Sequence, residues 1–298
     1  MRLAPTLKLT KHIEFSKYIN GQTIFPINLE ISPSGFCNAS CPWCFYLKSQ
    51  SKENIDTQVL LKFIDLCQIF GTKAITWTGG GEPTMHPDFK KITQSLKKVD
   101  QGLFTNALKV PEYDPSVFNW IRVSKTNLDF NIESLKKLRE CRTVGLCIND
   151  TGTLESSNLI VKALDLVHKL NLDYLQVRPA LNKSGEKTSI VAPVYKDDKL
   201  IITDYKYSEA NKERIYTKCE GFHFVPFLWE DGRLDVCGYR RCEDAYNIGN
   251  IYNDDFNKIV KLFPDYVNVT NECQICCKNH EINTLIHQVK TLEDENFV

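Results

Sequence analysis

The chain has 298 residues, 42% of them hydrophobic, so it is long enough to bury a sizeable core. Its 37 basic and 37 acidic residues cancel, which argues against a nucleic acid or an anionic membrane as the main partner. No stretch approaches the ~18 consecutive apolar residues of a spanning helix, and the first residues lack the apolar core of a signal peptide. We therefore expect a cytoplasmic protein that acts on neither membranes nor nucleic acids.

The first 26 residues carry Gly21 and Pro26 and are interpreted as an N-terminal lead-in (1–26) or a short hairpin. From residue 27 the apolar pattern alternates between strand and helix periodicity. Strands are predicted at 27–31, 74–78, 102–105, 121–124, 144–148 and 174–178. Helices are predicted at 57–70, 87–99, 132–141 and 158–170.

This alternation indicates parallel βα units joined by right-handed crossovers. Six units are too few for the usual eight-stranded barrel. The predicted fold class is therefore α/β, with a partial (β/α)6 TIM-like barrel over residues 27–180. Functional loops are expected at the carboxyl ends of its strands.

The pattern changes after Ala180, where residues 181–218 are interpreted as a linker with an additional strand at 199–207. The turn dipeptide Asp231–Gly232 indicates a hairpin. The other predicted elements are strands at 222–230 and 233–237 and helices at 256–263 and 281–292. We expect a small C-terminal α+β domain over 219–292 and a solvated tail over 293–298.

Twelve cysteines are the unusual feature of the composition. Disulfides are rare in reducing compartments, so clustered cysteines indicate metal binding or redox chemistry. Three of them, Cys37, Cys41 and Cys44, form C-x3-C-x2-C in the loop after the first predicted strand. Three thiolates on a four-iron cluster leave one iron open for a chelating ligand. A zinc site completed by a distant ligand is the alternative.

The second predicted strand ends in the segment Thr78-Gly-Gly-Gly-Glu82-Pro-Thr84. Glycines let the backbone approach a ligand closely, and a carboxylate accepts hydrogen bonds from an ammonium group. Taken alone, the segment is equally compatible with a plain βα turn.

The cysteine motif and the GGGEPT segment together resemble the radical SAM superfamily, over roughly residues 24–180. The resemblance implies a [4Fe–4S] cluster on Cys37, Cys41 and Cys44, with S-adenosylmethionine bound at its open iron. The cofactor-binding residues that it implies are Trp43, Gly80, Gly81, Glu82, Asn106, Ser124 and Arg178. Core packing for Trp43 and a salt bridge for Arg178 are the structural alternatives, and Lys125 departs from the family's commoner pattern after Ser124.

The second cysteine group is similar to the C-terminal extension called SPASM, in its single-cluster Twitch form. The similarity implies that one auxiliary [4Fe–4S] cluster is held by Cys219, Cys237, Cys273 and Cys276. A zinc ribbon is the alternative, and Cys242 or Cys277 could replace one ligand. No catalytic residue is assigned, but the candidate hydrogen-atom donors are Cys141, Cys147, Cys242 and Cys277, whereas Cys67 is interpreted as core.

The resemblance implies that flavodoxin or ferredoxin delivers an electron and that S-adenosylmethionine is cleaved to a 5′-deoxyadenosyl radical. This radical would abstract a hydrogen atom from the substrate. We expect an oxidoreductase of dehydrogenase type, with a net two-electron oxidation assisted by the auxiliary cluster. A maturase or epimerase of a ribosomally made peptide is one alternative, and a non-catalytic zinc or iron–sulfur protein is another.

Only 26 residues precede the first predicted strand, so we expect no leader-recognition domain in this chain. This favours a small molecule or a leader-independent peptide as the substrate.

Overall fold

The computed structural model describes residues 5–41, 44, 51–125, 127, 129–180, 197–203, 214–269, 273 and 279–293. The strands of this part of the chain are β1 (Asn28–Ile31), β2 (Ala74–Trp77), β3 (Asp100–Thr105), β4 (Trp120–Lys125), β5 (Val144–Asp150), β6 (Tyr174–Pro179), β7 (Leu200–Ile202), β8 (Lys218–Cys219), β9 (Phe227–Leu228), β10 (Arg233–Asp235), β11 (Asn247–Asn250) and β12 (Val267–Asn268). Its α-helices are α1 (Pro5–Leu9), α2 (Ile13–Ile19), α3 (Thr57–Ile69), α4 (Phe89–Ser95), α5 (Ile132–Leu138), α6 (Leu154–Lys169), α7 (Phe256–Leu262) and α8 (His280–Lys290). None of these helices is long and apolar enough to cross a membrane.

Helix α3 shows how local sequence starts an element and buries one face. The Asp56 side chain accepts hydrogen bonds from the backbone N–H groups of Gln58 and Val59, which caps the first turn. Cys67 lies on the buried face of α3 and is fully buried, as predicted. Helix α4 is shorter than predicted, because the chain leaves the helical conformation at Leu96 (φ −89°, ψ 80°) before β3 begins.

Strands β1 to β6 lie side by side in chain order, and every neighbouring pair is parallel. A doubly wound sheet would reverse its strand order at a switch point, whereas this sheet does not. The observed order is that of a barrel wall and confirms the predicted α/β class with a partial TIM-like barrel. Strand β7 continues the sheet in parallel beside β6.

The main core lies between this sheet and its helices. It is formed by the alternate residues of each strand, including Ile31, Leu103, Val123 and Leu146, all fully buried. The intervening residues of these strands therefore face the interior of the partial barrel.

The C-terminal hairpin extends the barrel sheet beyond β1. Strand β9 pairs with β1 in parallel, with Ile31 opposite Leu228, and β10 and β11 follow in antiparallel order. Since β1 and β9 run in the same direction, the turn after β9 lies at the edge where the cysteine loop begins. Gly232 in that turn has φ +79°, which glycine adopts without strain.

Two expectations about the remaining chain are corrected. The predicted strand over 222–230 is a 3-10 turn (Gly221–His223) followed by the short β9, because Pro226 cannot donate to a ladder. Residues before β1 form α1 and α2 rather than a hairpin. These two helices pack on α8, with Phe15 and Ile286 in a second, smaller core.

Candidate functional site

The carboxyl ends of β1, β2 and β3 meet at one edge of the sheet, as parallel strands require. The cysteine loop follows β1, the Gly79–Gly81 loop follows β2, and Thr105 ends β3. The sequence therefore brings three of its predicted site segments to the same edge.

The glycine loop packs directly on the backbone of the cysteine loop. A Cβ atom on Gly81 would lie 2.3 Å from the carbonyl oxygen of Phe36, and one on Gly79 would lie 2.7 Å from the Ser32 hydroxyl oxygen. The Glu82 N–H donates to the Phe36 carbonyl at 2.8 Å. Only glycine fits at position 81, because the two backbones approach too closely there for a side chain, and at position 79 a side chain would meet the Ser32 hydroxyl.

Glu82 is buried at the centre of this edge. Its Oε1 accepts hydrogen bonds from the hydroxyls of Thr105 at 2.6 Å and Thr84 at 2.8 Å, and its Oε2 accepts from the Asn106 N–H at 2.8 Å. Burial raises the pKa of this carboxyl, while the hydrogen bonds from Thr105, Asn106 and Thr84 lower it. The carboxylate thereby ties the end of β2 to the end of β3.

Asn106 connects β3 to the cysteine loop. Its side-chain Nδ2 donates to Asn38 Oδ1 at 2.8 Å, and its Oδ1 accepts from the Leu108 N–H at 2.9 Å. Because Asn38 directly follows Cys37, this contact fixes the position of the cysteine loop relative to the glycine loop.

The thiols of Cys37, Cys41 and Cys44 are half-buried. The Cys44 N–H donates to the Cys41 carbonyl at 3.0 Å, which holds these two residues together. Burial raises the pKa of Cys37, and Glu82, Cys41 and Cys44 raise it further. The three thiols and the buried carboxylate therefore share one small region. Trp43 lies outside the described residues.

Two other predicted residues lie near the carboxyl ends of later strands. Ser124 in β4 and Arg178 in β6 are half-buried, and Arg178 Nε donates to Asn149 Oδ1 at 2.5 Å. Beside them, the buried Lys125 donates from Nζ to the Asp129 carbonyl at 2.6 Å. Burial lowers the pKa of Lys125, while nearby Asp129 and Cys41 raise it. Lys125 was not among the site residues predicted from the sequence. Its position at the end of a strand with alternating buried residues could have indicated a buried cation near the site.

The opposite end of the barrel interior is filled by aromatic side chains. A Cβ on Gly102 would lie 2.2 Å from the Trp120 ring, and one on Gly145 would lie 2.2 Å from the Tyr174 ring. The Arg122 guanidinium lies 5.1 Å from the Phe104 ring centroid, and its Nε donates to the Tyr174 hydroxyl at 3.1 Å. Both glycines thus leave room for rings that close this end.

The cysteines predicted as candidate hydrogen-atom donors lie in different parts of the structure. Cys147 in β5 is buried, and strand alternation turns it to the barrel interior, opposite to Leu146 and Ile148 of the core. Cys141 lies at the amino ends of the strands, where its thiol donates to the Phe118 carbonyl at 3.2 Å. This places Cys141 on the edge opposite to the cysteine loop. Cys242 is exposed with φ +67°, and Cys277 lies outside the described residues.

Part of the second cysteine group is also assembled. Burial raises the pKa of Cys219 to about 11, and the neighbouring thiols of Cys237 and Cys273 contribute to that increase. Asn283 Nδ2 donates to Cys219 Sγ at 3.3 Å, and the Tyr239 N–H donates to Cys237 Sγ at 3.4 Å. Three separate segments therefore bring their thiols together, whereas Cys276 lies outside the described residues.

A buried ion pair below the two loops was not expected from the sequence. Glu230 Oε1 accepts from Arg241 Nη1 at 2.5 Å, and its Oε2 accepts from the Ser32 hydroxyl at 2.9 Å. The Gly80 N–H in turn donates to Ser32 Oγ at 3.1 Å. Glutamate and arginine eleven residues apart gave no local signal for the ion pair, and the contact of Glu230 with Ser32 depends on β9 lying beside β1.

Comparison with known proteins decides the family. Residues 31–176 match the family model of the Radical SAM superfamily. The chain carries a radical SAM domain. The predicted family is thereby confirmed, together with a [4Fe–4S] cluster and S-adenosylmethionine as the cofactors of such a domain.

Solved structures support the fold over most of the chain. The precursor-peptide-bound SuiB of Streptococcus suis aligns with a TM-score of 0.64 and 15% identity, over 90% of this chain and 74% of that one. The anSMEcpe structure with AdoMet and the Kp18Cys peptide aligns with a TM-score of 0.55 and 17% identity, over 91% and 85%. At these identities the likeness shows the fold alone.

Curated relatives cover a smaller region. The chain is 30% identical over 115 residues to the GTP 3′,8-cyclase of Haemophilus influenzae, which is 36% of this chain and 33% of that enzyme. The match therefore spans about a third of the length of that relative.

Proposed function

We propose that this protein reductively cleaves S-adenosylmethionine and abstracts a hydrogen atom from a substrate bound in its partial barrel. The observation that carries the proposal is the contact between the cysteine loop and the glycine loop, at the carboxyl edge of the parallel sheet. Gly81 packs on Phe36, next to Cys37, and Glu82 contributes to the electrostatic environment of that thiol. A purely structural metal site has no need of a second loop held this closely.

In this proposal Cys37, Cys41 and Cys44 hold the cluster and leave one iron for S-adenosylmethionine. The backbone of Gly80 and Gly81 and the Glu82 carboxylate receive the amino group of the methionine moiety. Asn106, Ser124 and Arg178 are assigned to its carboxylate and to the ribose, and Trp43 to the adenine.

When bound, the cluster supplies one electron for cleavage of a carbon–sulfur bond, which yields methionine and a 5′-deoxyadenosyl radical. The chain's own residues bind the cofactor and protect the reactive species. The rings of Trp120 and Tyr174 close the barrel at its amino end and keep water from that side. Cys147 faces the same interior and is the candidate that we propose as a hydrogen-atom donor.

We also propose that Cys219, Cys237, Cys273 and Cys276 hold an auxiliary [4Fe–4S] cluster. The support is that Cys237 and Cys273 lie close enough to Cys219 to raise its pKa, and that Cys219 and Cys237 accept hydrogen bonds from the Asn283 amide and the Tyr239 N–H. When bound, this cluster would supply an acceptor for the second electron of the oxidation, the first leaving the substrate with the abstracted hydrogen atom and the second accompanied by loss of a proton. The net result is a two-electron oxidation, so that the enzyme acts as an oxidoreductase.

Flavodoxin or ferredoxin is the electron donor that we propose. A reducing compartment, hence the cytoplasm, follows from the oxygen sensitivity of a cluster with an open iron.

A peptide is the second candidate substrate, with maturation or epimerisation as the outcome. It is favoured by the fold likeness to SuiB, solved with its precursor peptide, and to anSMEcpe, solved with a peptide. Incubating the reduced protein with S-adenosylmethionine and candidate peptides or small hydroxylated molecules, in deuterated and undeuterated form, separates the two. Deuterium transfer into 5′-deoxyadenosine identifies the class that donates the hydrogen atom.

The metal content tests the two-cluster proposal. After anaerobic reconstitution we expect two four-iron clusters, hence about eight irons per chain, with matching sulfide. Two tightly bound zinc ions without S-adenosylmethionine cleavage would instead establish the non-catalytic alternative.

A further inference from the structure

We infer that Glu230, paired with Arg241, is a positioning residue for S-adenosylmethionine binding, acting through Ser32 on the Gly79–Gly80 peptide. The inference rests on the proposed function and adds to it a contribution from the C-terminal hairpin. Glu230 comes from the turn after β9, almost two hundred residues from Ser32 in sequence.

The Glu230 carboxylate contacts both ends of the cysteine loop. Its Oε2 accepts from the Ser32 hydroxyl, at the start of the loop, at 2.9 Å. Its Oε1 accepts from the Ser51 hydroxyl at 3.0 Å and from the Ser51 N–H at 3.3 Å, on the far side of the three cysteines. One buried group thus fixes where the loop begins and where it returns.

Arg241 forms a buried ion pair with Glu230. Its side chain is 4% exposed, lies over the Trp229 ring at 4.6 Å, and donates to both Glu230 and Asp231. A buried carboxylate without a cationic partner would take up a proton and lose its strength as an acceptor. The ion pair with Arg241 therefore offsets the cost of burying the carboxylate that accepts from the Ser32 hydroxyl.

Ser32 transmits this orientation to the glycine loop. Its hydroxyl proton has a carboxylate oxygen at 2.9 Å and a carbonyl oxygen, that of Ser34, at 3.4 Å, so the carboxylate is the stronger acceptor. The hydroxyl oxygen then presents a lone pair to the Gly80 N–H at 3.1 Å. Ser32 is itself held by its own N–H, which donates to the Leu228 carbonyl of β9 at 2.8 Å.

The consequence concerns the carbonyl of Gly79. In a planar trans peptide the C=O and N–H groups point in opposite directions. Once the Gly80 N–H is directed at Ser32, the Gly79 carbonyl must point away from it. A loop of three glycines has no side chains to prevent rotation of this peptide, so its orientation depends on Ser32 and Glu230.

The test compares Ser32→Ala and Glu230→Gln with Asp235→Asn as the matched control. Asp235 is a fully buried carboxylate of the same hairpin, and it accepts from Arg233, Trp229 and Asn247, none of which belongs to either loop. In Glu230→Gln, Arg241 keeps Asp231 as a partner, so the hairpin retains an ion pair.

The measurement is the dissociation constant of S-adenosylmethionine on the reconstituted protein, alongside iron content and thermal midpoint. We expect the dissociation constant to rise about tenfold in Ser32→Ala and Glu230→Gln. In Asp235→Asn it should stay within about twofold of wild type, even with a lowered thermal midpoint.

Equal affinity in all four proteins, or equal weakening in Asp235→Asn, would overturn the inference while the proposed function stands. If wild type itself neither binds nor cleaves S-adenosylmethionine, the proposed function fails first, and the two failures are thereby distinguished.

Discussion

The two cysteine groups of this chain are held in different ways. Cys37, Cys41 and Cys44 lie within one short loop after β1, whereas Cys219, Cys237 and Cys273 come from three separate segments. Burial raises the pKa of Cys37 in the first group and of Cys219 in the second, so a metal that binds either thiol must release its proton. The first group is local, while the second depends on the packing of the C-terminal segments.

The contrast is not complete, because the C-terminal hairpin also supports the first group. Glu230 lies between β9 and β10, yet its contacts are Ser32 and Ser51 at the two ends of the first cysteine loop. Damage to the hairpin should therefore reach the S-adenosylmethionine site through Glu230 rather than through the auxiliary thiols.

The largest effect is expected for Cys41→Ala. A cluster with two protein thiolates at this loop is not retained, so formation of 5′-deoxyadenosine should fall to background. Iron content should drop by about four per chain, leaving the auxiliary cluster in place. Retention of full activity in this variant would show that Cys41 is not a ligand.

The Cys237→Ala variant should distinguish the function of the second cysteine group from that of the first. We expect loss of about four irons per chain and of substrate oxidation, while some S-adenosylmethionine cleavage without product remains. Anaerobic assays of 5′-deoxyadenosine and of oxidised product, run side by side, give the number of cleavage events per molecule of product. The same loss of cleavage as in Cys41→Ala would contradict separate roles for the two clusters.

Gly81→Ala tests the contact between the loops, with Gly80→Ala as a structural comparison. The new Cβ at position 81 would lie 2.3 Å from the Phe36 carbonyl oxygen, whereas at position 80 its nearest neighbours are 3.6 Å away. Overpacking at Gly81 should lower the free energy of unfolding by about 1–3 kcal/mol. Thermal unfolding should show a smaller change for Gly80→Ala, and equal changes would argue against the close packing.

The smallest effect is expected for Asn283→Asp, which acts on the second group alone. The Asn283 amide donates to Cys219 Sγ, while its oxygen accepts from the Glu220 and Gly221 N–H groups. Aspartate keeps the acceptor and removes the donor, so the reduction potential of the auxiliary cluster should fall by on the order of tens of millivolts. Redox titration followed by electron paramagnetic resonance should show an unchanged potential for the first cluster.

The sequence was sufficient for those features that depend on local pattern. The alternation of strands and helices predicted the parallel sheet, and the helix predicted at 57–70 is α3. The C-x3-C-x2-C and GGGEPT segments predicted the edge where the site lies, because each follows a strand directly. The radical SAM domain was therefore predictable from its amino-acid sequence alone.

Tertiary contacts account for what the sequence did not predict. The pairing of β9 with β1 depends on segments far apart in the chain, and so does the approach of Glu230 to Ser32. Helices α1 and α2 are short and are stabilised by packing on α8 rather than by their own periodicity. Cys141 and Cys147 were indistinguishable in sequence, since only their placement on the sheet separates them.

Formation of 5′-deoxyadenosine by the reconstituted protein tests the central claim most directly. With dithionite and S-adenosylmethionine under anaerobic conditions, wild type should form it, and omission of the reductant or the Cys41→Ala substitution should abolish it. A fully loaded wild-type protein that forms none with reductant, or forms as much without it, would contradict the account.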